Sequence, residues 1–353
     1  MSEPRAEPNT VRLTSLSHGG GCGCKLAPAV LEQIIAKTGA AQLVPPQLLV
    51  GIETSDDAAV YQLSDDQAIV ATTDFFMPIV DDPFDFGSIA ATNALSDVYA
   101  MGGRPLFALA IVAMPIDKLP LETIRRILEG GESVCRRAGI PVAGGHSVDA
   151  VEPMYGLVAV GVVDPRRVTR NAGAKAGDAI VLGKALGVGI YGAALKKQAM
   201  SAAQYQELIA TTTQLNTPGM QLAGLAGVHA LTDVTGFGLL GHLLEVCKGS
   251  SVRATLRWRA IPLLKDAREL VAAGHVTGGS NRNWNGYGHL VDLGGHGEVE
   301  RAVLADPQTS GGLLVACAPD TVEEVLKVFR SQGFASAAVI GEVAEGTPGI
   351  SVA

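Results

Sequence analysis

The chain has 353 residues, a formal net charge of -8, 47% hydrophobic residues and 43 glycines. At about 150 residues per domain that length predicts two domains, and the glycine content predicts many tight turns. The acidic balance excludes the basic footprint of a nucleic-acid binder, and with no apolar run of about 18 residues and no signal-peptide core in the first 20 residues the chain reads as cytoplasmic and free of the membrane.

Residues 1–47 read as a glycine-rich flexible arm, broken only by a short helical run from Pro28 to Ala36. DAAVYQL and QAIVATTD then read as strands, and DFGSIAATNALSDVYAMGG as a helix stopped by Gly102 and Gly103. PLFALAIVAMP is a strand, LPLETIRRILEGGESVCRRAG an amphipathic helix ending at Gly139, and IPVAGGHS and MYGLVAVGVV are strands separated by turns. Polar NAGAKAGD breaks this rhythm, so the first domain is placed at 48–170 and the second at 171–353. The second domain opens with strand DAIVLGK, runs through helices between Ile190 and Leu225, and alternates strand and helix from Ala230 onward. Both domains are α/β in content. Alternation alone does not say whether the sheets are parallel, mixed or antiparallel.

No Walker loop is present, because Lys184 after Gly183 is followed by Ala185. Gly187, Gly189 and Gly192 match a dinucleotide fingerprint, yet they stand apart from the end of the preceding strand and read equally as a glycine-rich helix start. Aspartates collect at element ends: Asp56 and Asp57 before a strand, Asp74 at the end of the next, Asp233 closing HALTD. Asn93 and Asp97 are four apart on one helix and share a face. Such carboxylates suit Mg2+ bridging to a nucleotide's phosphates, and they suit helix caps and turns as well, the reading given to Asp65, Asp66 and Asp117. The sharpest local feature is SHGGGCGCK at 17–25, two thiols in glycine with Lys25 adjoining. That segment predicts a lowered thiol pKa and thiolate chemistry, with a zinc site that includes His18 as the structural alternative.

HGGGCGCK, DDAAV, TTDFF, ATNALSDVYAMGG, AGGHS, TDVTGFGLLGH and DPQTSGGLL, in that order and spacing, resemble the selenophosphate synthetases (selenide, water dikinases). The resemblance runs from about Arg12 to the C-terminus and departs at the long N-terminus and in VTGGSNRNWNGYGHL, 276–290. It implies two α/β domains similar to the aminoimidazole ribonucleotide synthetase fold, paired as a homodimer with ATP sites shared between subunits. It implies conversion of ATP, selenide and water to selenophosphate, AMP and orthophosphate, with Mg2+, supplying selenium for selenocysteine and selenouridine formation. Residue by residue it implies that Cys22 holds or delivers selenium and that Lys25 meets the ATP phosphates. Asp57, Asp97 and Asp233 then match magnesium ligands. Thr54, Ser55, Asp56, Asp74 and Asp97 match nucleotide-contacting positions, as do Gly145, His146 and Ser147, these last three supplied by the dimer partner.

Overall fold

The computed structural model describes residues 11–25, 34, 45–51 and 56–353; the Pro28–Ala36 run lies almost wholly outside them. The first sheet holds β1 (Leu48–Val50), β2 (Ala59–Gln62), β3 (Ala68–Phe76), β4 (Arg104–Met114), β5 (Val142–Asp149) and β6 (Met154–Val163). Their order is β1-β2-β3-β6-β4-β5, with every pair antiparallel except β4 and β5. Helices α1 (Pro83–Ala100) and α2 (Leu121–Arg137) belong to this half. Helix α1 begins at Asp82, whose carboxylate accepts from the Asp85 N–H at 2.9 Å, one of the donors a helix start leaves unpaired. It is apolar nearly all round and buried along most of its length, as such a helix must be. Helix α2 is amphipathic, with Arg125 paired to Glu122 and Glu129 on its wet face. The two helices meet backbone to backbone where Gly87 faces Ile127 and Gly130 faces Phe84, and a methyl group at either glycine would overlap the facing carbonyl.

The second sheet holds β7 (Ala179–Leu182), β8 (Val228–Asp233), β9 (Arg253–Leu256), β10 (Val291–Asp292), β11 (Leu313–Cys317), β12 (Ala338–Ala344) and β13 (Gly349–Val352). Its order is β10-β13-β9-β12-β7-β11-β8, parallel at β10–β13 and β13–β9 and antiparallel elsewhere. Both sheets are therefore mixed, the point that alternation left open. Strand β11, LLVAC, is buried at every position because it lies between β7 and β8 and is covered on both faces. The helices of this half are α3 (Val188–Lys196), α4 (Ala202–Thr212), α5 (Pro218–Leu222), α6 (Gly238–Ser250), α7 (Ala267–Ala272), α8 (Gly278–Tyr287), α9 (Glu298–Leu304) and α10 (Val322–Ser331). No helix among the described residues is long and apolar enough to cross a membrane.

Helix α1 joins the two halves. Its Ser96 hydroxyl donates to Asp233 at the end of β8 and accepts from Asn216 Nδ2 at 2.7 Å. Thr232 Oγ1 of β8 donates to Asp57 Oδ1 at 2.8 Å, and the Asn171 N–H donates to Asp56 Oδ1 at 2.7 Å. The aspartates at strand ends are thus brought together at the seam between the sheets.

Candidate active site

The cysteine motif forms a 3-10 turn, Gly21–Cys24, docked against this seam. Gly21 has a φ of 56°, in the left-handed region, and its α-carbon lies against Thr309 with no room for a side chain. Cys22 is 1% exposed. Its N–H donates to Thr309 Oγ1 at 3.0 Å and its Sγ donates to Asn93 Oδ1 at 3.2 Å. Asn93 Oδ1 also accepts the Ser310 N–H at 2.7 Å, while Asn93 Nδ2 donates to Asp74. Asp74 in turn lies 3.6 Å from Lys25 Nζ. Cys22, Asn93, Asp74 and Lys25 therefore form one continuous polar chain from a buried thiol to a cation at the surface. Asn93 and Asp97 do share a face of α1, as their spacing requires. Asp97 accepts from Thr72 Oγ1 at 2.5 Å on β3.

The electrostatics correct one expectation. The thiol of Cys22 is pushed well above its ordinary range, chiefly by burial and next by the Asp74 charge, with Lys25 opposing. Cys24 is also raised by burial, against backbone hydrogen bonding at Met77 and the Arg282 charge. Neighbouring lysine does not win, because the turn is docked in a dry, carboxylate-rich seat rather than loose in solvent. Lys25 is held above the usual lysine range: desolvation at the seam pulls it down, but Asp74 foremost, with Asp97 and Asp233, outweighs that. It stays cationic throughout the neutral range.

Asp57, Asp97 and Asp233 lie within one another's fields. Burial raises all three; mutual repulsion through Asp233 adds to the rise of Asp57 and Asp97, while Ser96, His242 and Lys25 hold Asp233 back. Asp57 Oδ2 is buried with no hydrogen-bond partner among the described residues. Repelling hard-oxygen donors with an orphaned lone pair fit a divalent cation such as magnesium, which bridges a few carboxylates to phosphate. Among the described residues no group of three or more His, Cys, Asp or Glu side chains is gathered closely enough to hold a metal ion by itself.

Other expected positions lie elsewhere. Thr54 and Ser55 fall outside the described residues. Gly145, His146 and Ser147 are exposed on edge strand β5, with β4 and β6 between it and β3, so the fold does not bring them to Lys25 within one chain. Outside the cysteine turn is a cavity of about 640 Å³ lined by Cys24, Lys25, Lys196, Lys197 and Arg282, with no carboxylate among the described residues of its wall. Arg282 Nη2 donates to Gly23 O at 2.6 Å and Lys196 Nζ to Ser17 O at 3.1 Å, which pins the arm. Sequence reading missed Asn93 as the hub, Thr309 and Ser310 as the seat, and Arg282 in the unmatched 276–290 stretch. For Asn93 the signal was its i, i+4 partnership with Asp97, and for Thr309 and Ser310 their place in DPQTSGGLL; Arg282 gave none.

Residues 55–163 match the N-terminal domain of the AIR synthase related proteins and residues 175–352 the C-terminal domain. The chain is 65% identical over 343 residues to a selenide, water dikinase of Dechloromonas aromatica, covering 97% of this chain and 98% of the relative. It is 63% identical over 355 residues to one from Burkholderia ambifaria, covering 100% of both. Among solved structures, a thiamine-monophosphate kinase from Stenotrophomonas maltophilia aligns with a TM-score of 0.63 at 22% identity, covering 92% of this chain and 95% of that one. AaThiL complexed with AMPPCP and TMP aligns at 0.63 and 19%, covering 98% and 96%. These structures share the fold, and the full-length identities decide the rest: the chain belongs to the selenide, water dikinase family, built on the paired domains of the AIR synthase related proteins.

Proposed function

We propose that this chain makes selenophosphate from selenide, ATP and water, releasing AMP and orthophosphate, at the seam between its sheets. The observation that carries the reading is the chain Cys22, Asn93, Asp74, Lys25, set beside three mutually repelling carboxylates. Phosphoryl transfer is mostly positioning and relief of phosphate charge. Lys25 supplies a permanent cation at the end of the polar chain. Asp57, Asp97 and Asp233 would hold magnesium, whose chemistry there is neutralisation of the phosphate oxygens. Cys22 carries the selenium: Asn93 aims its sulfur toward the Asp74 and Lys25 side, and burial keeps water from it. Selenide is itself a strong nucleophile, so no general base is required for the first attack. Closure of the arm by Arg282 and Lys196 restrains water until selenium has reacted.

Binding of AMPPCP by a structural neighbour supports a nucleotide site on this fold. A homodimer is supported by edge strand β5 and its surroundings, where Val148, Ile116 and Val151 are 48%, 60% and 79% exposed. A second copy seated there would deliver Gly145, His146 and Ser147 to its neighbour's nucleotide.

Phosphorus NMR of ATP with the protein, magnesium and selenide tests the function. The expected signals are AMP, orthophosphate and a phosphorus coupled to selenium. ADP as the end product, or turnover indifferent to selenide, would assign the chain a different phosphoryl acceptor.

A further inference from the structure

Lys184 is a buried cation that the reading above leaves without a role. It follows β7 and is 3% exposed. Its Nζ donates to two backbone carbonyls, Gln214 O at 2.7 Å and Ser310 O at 2.8 Å, rather than to a carboxylate. A buried ammonium is costly unless its donors are used, and these two carbonyls are where they are used. Burial brings Lys184 down to about 7, with the Asp233 charge opposing.

Ser310 is unusual in its own right. Its φ of 53° places it in the left-handed region, a conformation only Gln198 and Ser251 share among the described non-glycine residues. A residue with a β-carbon relaxes out of that region unless its neighbours fix it. The neighbours here grip both of its polar backbone groups: Lys184 takes the carbonyl and Asn93 Oδ1 takes the N–H. The same Asn93 oxygen accepts the Cys22 thiol, and Thr309, adjoining Ser310, accepts the Cys22 N–H.

We propose that Lys184 is a positioning residue for the reaction: by fixing the strained Ser310 peptide it sets Asn93 Oδ1 and Thr309 Oγ1, the two acceptors on which the Cys22 turn sits. It touches neither substrate nor reacting atoms. The inference rests on Cys22 being the thiol that handles selenium. Without the ammonium the Ser310 peptide relaxes, Asn93 loses a donor, and the turn loses its seat.

The test compares Lys184→Met, Ser310→Gly and the double variant. Glycine accepts the left-handed φ without strain, so it removes the need for the grip. In nucleotide-free protein, Lys184→Met is expected to raise Cys22 alkylation by iodoacetamide about tenfold, the factor that goes with losing a charge-assisted hydrogen bond. It is also expected to lower kcat for selenide while the KM for ATP stays as in the wild type. In the Lys184→Met background Ser310→Gly restores at least half of the loss on a logarithmic scale, measured against Ser310→Gly alone. If Lys184 only braces the Gln214 loop, Lys184→Met lowers Tm but leaves Cys22 alkylation unchanged, and Ser310→Gly rescues nothing; either result overturns the proposal. Should Lys184→Met not fold, Lys184→Gln in the Ser310→Gly background makes the same comparison. Alkylation is read without selenide or ATP, so a wild type inactive on selenide overturns the functional reading while the positioning is still measured.

Discussion

The Cys22 thiol donates to Asn93 Oδ1 at 3.2 Å across 71 positions of sequence. Three groups depend on that one amide: the thiol, the Ser310 N–H and the Asp74 carboxylate. Asn93→Ala strands the thiol and the Ser310 N–H in a buried place and takes from Asp74 one of its partners, Lys25 remaining, and each unsatisfied polar group costs about 1–3 kcal/mol. The expected outcome is destabilisation of at least about 2 kcal/mol by urea denaturation, with loss of selenide-dependent turnover. A wild-type midpoint would show the amide to be dispensable.

Cys22→Ser is expected to abolish AMP and selenophosphate formation, and Cys24→Ser to retain most of it. Cys24 points the other way: its Sγ donates to Gly21 O at 2.6 Å and it lines the outer cavity. A serine hydroxyl hardly ionises at neutral pH, so the replacement tests the thiolate and not the space. Both thiols are raised, so alkylation at pH 7 is slow; half-exposed Cys24 reacts first and Cys22 follows only in alkaline solution. The reverse order of activity loss would exchange their roles.

Asp57→Asn, Asp97→Asn and Asp233→Asn are each expected to abolish turnover while leaving the far-UV spectrum unchanged. An amide keeps the shape and removes one unit of charge, which magnesium needs and the metal-free protein does not. In the absence of magnesium each variant therefore melts no lower than the wild type, since repulsion has been relieved. Magnesium should raise the wild-type Tm and lose much of that effect in the variants. Full turnover at low magnesium in any variant removes that residue from the ligand set.

Lys184 predicts a pH signature. Its folded value of about 7 lies below the ordinary lysine value of 10.5, so the unfolded chain binds more protons between those two limits. Stability from this group is therefore present above 10.5, is lost as pH falls toward 7, and is flat below. Relative to Lys184→Met, the wild type should gain stability as pH rises from 7 toward 10, read by urea denaturation at each pH. Parallel profiles for the two proteins would mean that Lys184 keeps its proton in the fold as it does in water.

What the sequence made legible was largely local. The aspartates at strand ends and the Asn93–Asp97 face follow from periodicities of 2 and 3.6, which a reader can count. The direction of the strands did not follow, because the same alternation serves parallel and antiparallel pairing. The lowered thiol pKa inferred from Lys25 failed for a physical reason: adjacency in sequence supplies one cation, while folding adds Asp74 and burial, both of the opposite sign. Arg282 and Thr309 reach the cysteine turn from 259 and 287 positions away. Thr309 stands in DPQTSGGLL, which the resemblance marks, yet no periodicity within either segment records that meeting. Lys184 was visible only as a broken Walker motif, since nothing in GKAL tells that its ammonium ends under Ser310.

The close backbone contacts of the first half and the polar seat of Cys22 together have a mechanical meaning. Asn93 belongs to the half built on the first sheet, Thr309 and Ser310 to the half built on the second, and Cys22 is fastened to both, by its thiol to Asn93 and by its N–H to Thr309. Helix α1 cannot yield locally, because its glycine contact with α2 leaves no slack. Any rotation of one sheet against the other must then pull the Cys22 fastening apart at the same stroke, so opening of the seam and release of the cysteine are a single motion, like a clasp that cannot be undone without parting the two edges it joins.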